Sequence, residues 1–285
     1  MILKTAVLAE GFLFPEGPRW HEGRLWVSDM QAGWVENVDL KGNTEKIVAV
    51  PGSPSGLGWL PDGRLLVVSM TDRRLLRLDG EGLSEVADLS RLASFHCNDM
   101  VVDRRGRAYI GNFGFDFAVG APVSPAEIVL VTPDGRARRV GEGLLFPNGT
   151  VITPDGQTLV VAETFGHRLT AFDLEPDGAL SNRRVWADLE GAFPDGICLD
   201  AEGAIWVAAP EPGEVRRIRE GGLVTHRVKV STRPYACMLG GSERRTLFVC
   251  TAESAVPGRG RGRAGGRAGG RIEIVEVEVP GDGLP

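Results

Sequence analysis

The sequence predicts an all-β protein, a six-bladed β-propeller whose last blade is closed by the N-terminal strand. Three observations carry this. A turn followed by an apolar strand recurs six times, with its turn residues at 23, 63, 106, 156, 203 and about 244. Spacings of 40 to 50 residues are the length of a four-stranded propeller blade. The chain also carries 39 glycines and 18 prolines in 285 residues, which favours many tight turns over long helices. Finally, the sixth unit lacks an outer strand after residue 279, and a spare strand stands at the beginning of the chain.

Each element follows in order. The recurring second strands are Glu22–Val27, Asp62–Val67, Arg105–Ile110, Asp155–Val160 and Glu202–Val207, with a degenerate copy at Glu243–Phe248. Third strands are read at Gly33–Asp39, Arg74–Asp79, Glu127–Val131, Arg168–Asp173, Glu214–Ile218 and Arg271–Val277. More polar outer strands follow at Glu45–Val50, Ser84–Asp88, Ala137–Val140, Arg184–Asp188 and Thr225–Val230. Thr5–Glu10 precedes a Phe-Pro-Glu-Gly frame as Ala137–Val140 precedes Phe-Pro-Asn-Gly, so it is expected to complete blade 6. Closure removes the exposed strand edges that an open ring would present. The whole chain, residues 1–285, reads as a single propeller domain, with a flexible Gly/Arg-rich loop at 258–270 inside the last blade.

Composition narrows the partners. A net charge of −6 disfavours nucleic acid, and the Gly/Arg-rich segment contains no aromatic residue for base stacking. No apolar run approaches the roughly 20 residues of a membrane span, and the N-terminal apolar run is too short for a secretory signal. Cys97, Cys198, Cys237 and Cys250 show no CxxC spacing and read as buried thiols in a reducing cytoplasm. A small molecule is the expected partner.

The chemistry sits in a repeated frame. Glu10–Gly17 returns as Glu142–Gly149 and, more loosely, as Leu189–Gly196, each time presenting Phe-Pro-X-Gly with an oxygen-bearing X: Glu16, Asn148 and Asp195. Counted back from the turns, the equivalent positions of the six units are Glu16, Ser55, Asn98, Asn148, Asp195 and Tyr235. First strands line a propeller's channel, so these side chains are expected at one height around it. Turn preference explains any one of these X-Gly pairs. Two carboxylates and two amides on a common register instead suggest a hard-oxygen site of charge near −2. Such a site suits one divalent cation, Ca²⁺ first, with Mg²⁺, Mn²⁺ and Zn²⁺ also compatible.

The motifs Phe14-Pro-Glu-Gly-Pro18, Leu25-Trp-Val-Ser-Asp29, Asn98-Asp99, Pro147-Asn-Gly149 and Pro194-Asp-Gly196 together resemble the regucalcin (senescence marker protein)/gluconolactonase/luciferin-regenerating enzyme family. The likeness runs from about residue 10 to about residue 280. It implies a six-bladed propeller with one divalent metal in the channel, held by Glu16, Asn148 and Asp195. Asn98 then lies beside the metal and contacts water or substrate, and Asp116 falls where relatives carry an acidic substrate-contacting residue. The activity implied is lactone hydrolysis. In sugar-lactone-hydrolysing members an Arg stands two residues before the equivalent of Asn98; here His96 does. His offers fewer donors to sugar hydroxyls and a titratable proton, so the substrate need not be a sugar lactone.

The expected chemistry is a metal-dependent hydrolase that opens a lactone with water. Asp195 would be both ligand and proton acceptor, Asn98 would orient the carbonyl, and His96 would contact substrate or act as a second base. The loop Gly111–Phe117 offers three phenylalanines, either as a wall for an apolar acyl group or as its own packing. Glu163 and His167 read as residues that fix a loop. Two other classes remain open at this stage: a propeller enzyme of other metal-assisted chemistry, and a non-catalytic metal-binding or binding-platform propeller.

Overall fold

The computed structural model describes residues 1–254 and 269–283. Six sheets, each with a core of four antiparallel strands, follow one another around a central channel. Blade 1 holds Pro15–His21, Arg24–Asp29, Trp34–Val38 and Thr44–Ala49, from the channel outward. Blade 2 holds Pro54–Trp59, Leu65–Ser69, Arg74–Asp79 and Gly82–Asp88. Blade 3 holds Cys97–Val102, Ala108–Asn112, Ala126–Val131 and Ala137–Leu144. Blade 4 holds Pro147–Ile152, Thr158–Glu163, Arg168–Leu174 and Leu180–Asp188. Blade 5 holds Ile197–Leu199, Ile205–Ala209, Glu214–Ile218 and Val224–Lys229. Blade 6 holds Arg233–Gly240, Thr246–Ala252 and Gly270–Glu276, and its outermost strand is Ala6–Phe12 from the start of the chain. The six-bladed ring and its N-terminal closure are thus as the sequence predicts.

The repeat has a physical basis in each unit. The turn glycines 23, 63, 106, 156 and 203 all adopt positive φ, between +72° and +85°, which L side chains resist. In the sixth unit Arg244 takes the same left-handed conformation at φ +55°, so the turn survives without glycine. Four residues on from each turn, Val27, Val67, Ile110, Val160, Val207 and Phe248 are exposed by 1% or less. These second-strand side chains fill the wedges between neighbouring blades, where the core lies.

The ends of the chain reach further than the sequence suggests. Ile2–Lys4 pairs in parallel with Arg227–Lys229 on the outer edge of blade 5 before the chain crosses to blade 6. The N-terminus therefore ties two blades together. The other end runs beneath the ring, where Asp282 N–H donates to Leu199 O at 3.0 Å and Gly281 N–H to Arg244 O at 2.7 Å. There the channel narrows to a cavity of about 20 Å³ lined by Arg19, Thr150, Cys198, Leu199, Met238 and Asp282. That space is of the order of one water molecule. Most of the Gly/Arg-rich segment, through residue 268, lies outside the described residues, and Gly270 opens the third strand of blade 6. No helix of the described residues is long and apolar enough to cross a membrane. All four cysteines are buried and free.

Candidate metal centre and the mouth above it

The repeated frame builds a ring of side chains because five of the six blades distort the innermost strand at the same place. Pairing with the second strand slips between Glu16 and Arg19, Pro54 and Leu57, Cys97 and Met100, Pro147 and Thr150, and Pro234 and Ala236. A bulge frees the local backbone from the ladder and re-aims the side chain it carries. The glycine that follows allows the next blade to come close. A Cβ on Gly149 would lie 2.5 Å from Ile197 N, and one on Gly196 would lie 2.4 Å from Ala236 Cβ. Neighbouring frames are then stitched directly. Gly149 N–H donates to Asp195 O at 3.2 Å, Gly196 N–H to Tyr235 O at 2.8 Å, and Asn98 Nδ2 to Pro147 O at 3.3 Å. The Phe14 and Tyr235 rings meet at 4.7 Å and close the circle.

A second set of side chains fixes the frames from behind. Asp29, at the end of a second strand, accepts Leu13 N–H at 2.9 Å and Phe14 N–H at 2.8 Å. Glu163, at the equivalent place in blade 4, accepts Leu145 N–H at 2.9 Å and is held by Arg168, Arg183 and Thr170. In blade 3 the role falls to Asn112, which accepts from Phe95 and Gly114. The loop-fixing role expected of Glu163 matches these contacts. His167 donates through Nδ1 to Ala192 O at 3.1 Å, just ahead of the third frame.

The side chains proposed from sequence as metal ligands come together. The Asn148 side chain hydrogen-bonds to Asp195, and the Glu16 and Asp195 charges act on one another. Burial pushes the Glu16 carboxyl up to about 8, and Asp99 adds to the rise. Burial also pushes Asp195 well up, with the Glu16 charge second. Both keep a partly open face toward the channel. The nearby guanidinium, Arg19, is paired with Asp99 and only partly offsets the rise at Glu16, and two carboxylates so placed are the expected mark of a site a divalent ion would satisfy. Among the described residues no three His, Cys, Asp or Glu side chains gather as a metal cluster, so a donor set here would need the amide oxygen of Asn148 as its third member. Oxygen donors of this kind fit a hard cation.

Asn98 joins this level, buried, with one N–H spent on Pro147. His96 stands two residues earlier, stacked on Phe95 at 4.2 Å and edge-on to Phe113 at 6.1 Å. Burial lowers its pKa, and Asp116 opposes that. Asp116 is turned into its own loop, where Oδ1 accepts Ala118 N–H at 3.1 Å, so its reach toward His96 is electrostatic. The loop phenylalanines pack across the blade boundary. Phe113 stacks on Phe146 at 4.5 Å, and Phe115 meets Phe165 at 5.4 Å.

Sequence reasoning missed three residues here. Arg19 lies buried in the channel and pairs with Asp99 at 2.7 Å, also donating to the carbonyls of Pro18 and Met100. Asp99 occupies the frame position that is glycine in blades 1, 2, 4 and 5, so blade 3 alone among those frames adds a carboxylate there. The signal was available: a charged residue three places beyond Glu16 in an inner strand, and an Asn-Asp where Asn-Gly recurs. Thr164 is the third. Its hydroxyl accepts from Asn148 Nδ2 at 3.2 Å and donates to Pro194 O at 2.8 Å, which locks the blade 4 frame to that of blade 5.

Comparison with known proteins gives these frames a family. The family described as SMP-30/Gluconolactonase/LRE-like region matches residues 14–253. The chain belongs to that family. Among its relatives, a pentonolactonase of Haloferax volcanii is 28% identical over 255 residues, covering 87% of this chain and 84% of its own. A 6-deoxy-6-sulfogluconolactonase of Pseudomonas putida is 26% identical, covering 86% of each chain. A solved structure from Agrobacterium tumefaciens, described as a calcium-binding protein, regucalcin, superposes with a TM-score of 0.84 at 25% identity. It covers 100% of this chain and 98% of that one. The family thus includes named lactonases as well as a protein named for calcium.

The carboxyl pair gives a pH dependence of defined sign. Between about 4.5 and about 8 the folded protein holds a proton on Glu16 that the unfolded chain has released. The folded state then binds more protons, so this contribution is complete below the ordinary carboxylate range and is lost as pH rises through about 8. Chelator-treated protein should therefore lose melting temperature from pH 5 to pH 8. Added Ca²⁺ or Mn²⁺ should restore more of it at pH 8 than at pH 5. Melting curves with and without the ion test this; a gap that shrinks with rising pH would refute it.

Proposed function

We propose that the chain is a divalent-metal-dependent lactonase, a single propeller domain acting on a small molecule in a reducing cytoplasm, with neither nucleic acid nor membrane as partner. The observation that carries this reading is the convergence of two half-buried carboxylates and two buried amides, Glu16, Asp195, Asn148 and Asn98, from equivalent positions of four blade frames. Lactonase relatives of comparable length support the chemistry. The four free thiols support the compartment.

Glu16, Asn148 and Asp195 would hold the ion, Ca²⁺ first. When bound, such an ion supplies Lewis acidity to a carbonyl oxygen and lowers the pKa of water. The protein's own residues do the remaining work. Hydrolysis adds water across the acyl C–O bond of the ring and yields an open hydroxy acid. Asp195 is placed to accept the proton that water gives up; burial and the Glu16 charge raise its pKa in the metal-free protein, and a cation between the two would keep it ionised and able to accept. Asn98 keeps its second N–H and its carbonyl oxygen for substrate, since only one N–H is committed to Pro147. Thr164 holds Asn148 in place, so the amide loses little freedom on binding the ion. His96 contacts substrate from the mouth. Its lowered pKa leaves it neutral and able to accept as well as donate.

Activity on a lactone panel tests the reading, with chelator-treated protein and metals added back. One divalent ion is expected to restore turnover. Asp195→Asn is expected to lower kcat by about 10² or more, the scale of losing a general base. Full activity after exhaustive chelation would exclude metal dependence, and an unchanged kcat in Asp195→Asn would remove that residue from proton transfer.

A further inference from the structure

The mouth is chemically lopsided. Two residues before each member of the channel ring stand Phe14, Ser53, His96, Phe146, Phe193 and Arg233. Five of the six precede the inner strand of their blade and Arg233 opens one, so the set stands at the end of the channel where the inner strands begin. Four of the six are aromatic. Of the three members that are not phenylalanine, His96 on blade 3 is stacked on Phe95 and edge-on to Phe113, and Arg233 is exposed and already paired with Glu211 at 3.0 Å. Ser53, on blade 2, lies away from blades 4 and 5, which carry Asn148 and Asp195.

Over those blades the rings are continuous. Phe146 meets Phe165 at 5.5 Å, and Phe165 meets Phe193 at 5.8 Å. Phe193 meets His167 at 4.4 Å, and Phe113 stacks on Phe146 at 4.5 Å. The wall has two layers. Phe115 and Phe146 are buried behind it, each 7% exposed, while Phe113, Phe165 and Phe193 keep part of their rings open. Inner strands begin and second strands end on the same rim, so Phe113 and Phe165 stand on the side of the ring where substrate must enter. The opposite end is narrowed to a cavity of about 20 Å³.

Such a wall treats substrates unequally. A polyhydroxylated lactone laid against it leaves its hydroxyls without partners, and each desolvated hydroxyl weakens binding. The polar groups on this side are committed: His167 Nδ1 donates to Ala192 O, and Thr164 bridges Asn148 and Pro194. An aromatic or similarly flat apolar substituent finds offset and edge-on ring contacts instead.

We propose that Phe113, Phe165 and Phe193 select a lactone carrying an aromatic or comparably sized apolar group, in preference to a sugar lactone. The inference rests on the lactonase reading for its reaction, and on the wall alone for its selectivity.

The test uses the full-length, metal-loaded protein with dihydrocoumarin, γ-butyrolactone and glucono-δ-lactone. A non-hydrolysable aryl lactam, 3,4-dihydro-2-quinolinone, serves as binding probe. The expected result is a kcat/KM for dihydrocoumarin at least tenfold above the other two, with the lactam competing. Phe165→Ala should raise KM for dihydrocoumarin about tenfold more than KM for γ-butyrolactone, the size of one lost ring contact. It should weaken lactam binding by a similar factor in calorimetry. Preference for glucono-δ-lactone without lactam binding would overturn the wall and leave the lactonase reading standing. No turnover of any lactone, with lactam binding that Phe165→Ala weakens, would sink the hydrolase reading and uphold the wall. Equal losses on all substrates in Phe165→Ala would overturn the selectivity.

Discussion

Removal of residues 1–12 should leave a chain that does not reach the folded ring. Ala6–Phe12 is the outermost strand of blade 6 and pairs along Gly270–Glu276. Phe12 and Ala9 are buried in the core between the last blade and its neighbours. Phe12 alone contributes about 1.5–3 kcal/mol by burial, against a whole stability of about 5–15 kcal/mol for a typical domain. The ladder bonds to Gly270–Glu276 go as well, and that strand becomes an open edge. Expression followed by size exclusion and far-ultraviolet circular dichroism tests this. Aggregated or unfolded protein is the expected result, and a monomer with an unchanged melting temperature would show that the closure is dispensable. Removing residues 1–4 alone should cost much less, because Ile2–Lys4 adds three mostly exposed residues to the edge of blade 5.

The difference between these two strands marks what a sequence can disclose. Ala6–Phe12 was readable because it replaces a missing member of a repeat and precedes the same frame as its counterpart in blade 3. Ile2–Lys4 has no counterpart, and a parallel addition to the edge of blade 5 leaves no periodic trace. The same division holds in the channel. Glu16, Asn148 and Asp195 were legible because a repeated frame translates sequence spacing into equal height. Arg19 and Thr164 lie outside the repeated position, one deeper in the channel and one on the loop after a second strand. Their roles arise from bulges and from contacts between neighbouring blades, which spacing does not encode. Asn112 is intermediate: it shares its place with Asp29 and Glu163, but the residue type differs in all three, so only the hydrogen bonds reveal the common function. The aromatic wall was half visible. Its loop phenylalanines stand out in Gly111–Phe117, whereas their partners Phe146 and Phe193 lie inside the repeated frame, where the repeat alone accounts for them.

The Arg19–Asp99 pair should tune the candidate metal centre in opposite directions when its two members are removed. Three carboxylates share the channel: Glu16, Asp195 and Asp99, and Asp99 raises the pKa of both others. Arg19 is the cation that opposes this at Glu16, and its fork is fixed by Asp99, Pro18 O and Met100 O. Asp99→Asn removes a negative charge and leaves Arg19 in place, so the local potential becomes more positive and a divalent ion binds more weakly. Arg19→Met removes the positive charge, so the potential becomes more negative and the ion binds more tightly. About tenfold each way in Kd is expected, the effect of a charge a few ångströms from a titrating site. Stability should not follow the same order. Either change breaks a buried pair and leaves the survivor uncompensated, at a cost of about 3–5 kcal/mol. Calorimetric titration with Ca²⁺ and Mn²⁺, read beside melting curves of the metal-free proteins, separates the two effects. Opposite shifts in affinity with a common loss of stability would show the pair acting through charge. Affinities that fall together would show that it acts by holding the inner strands of blades 1 and 3 in register, with the ion merely reporting a loosened channel.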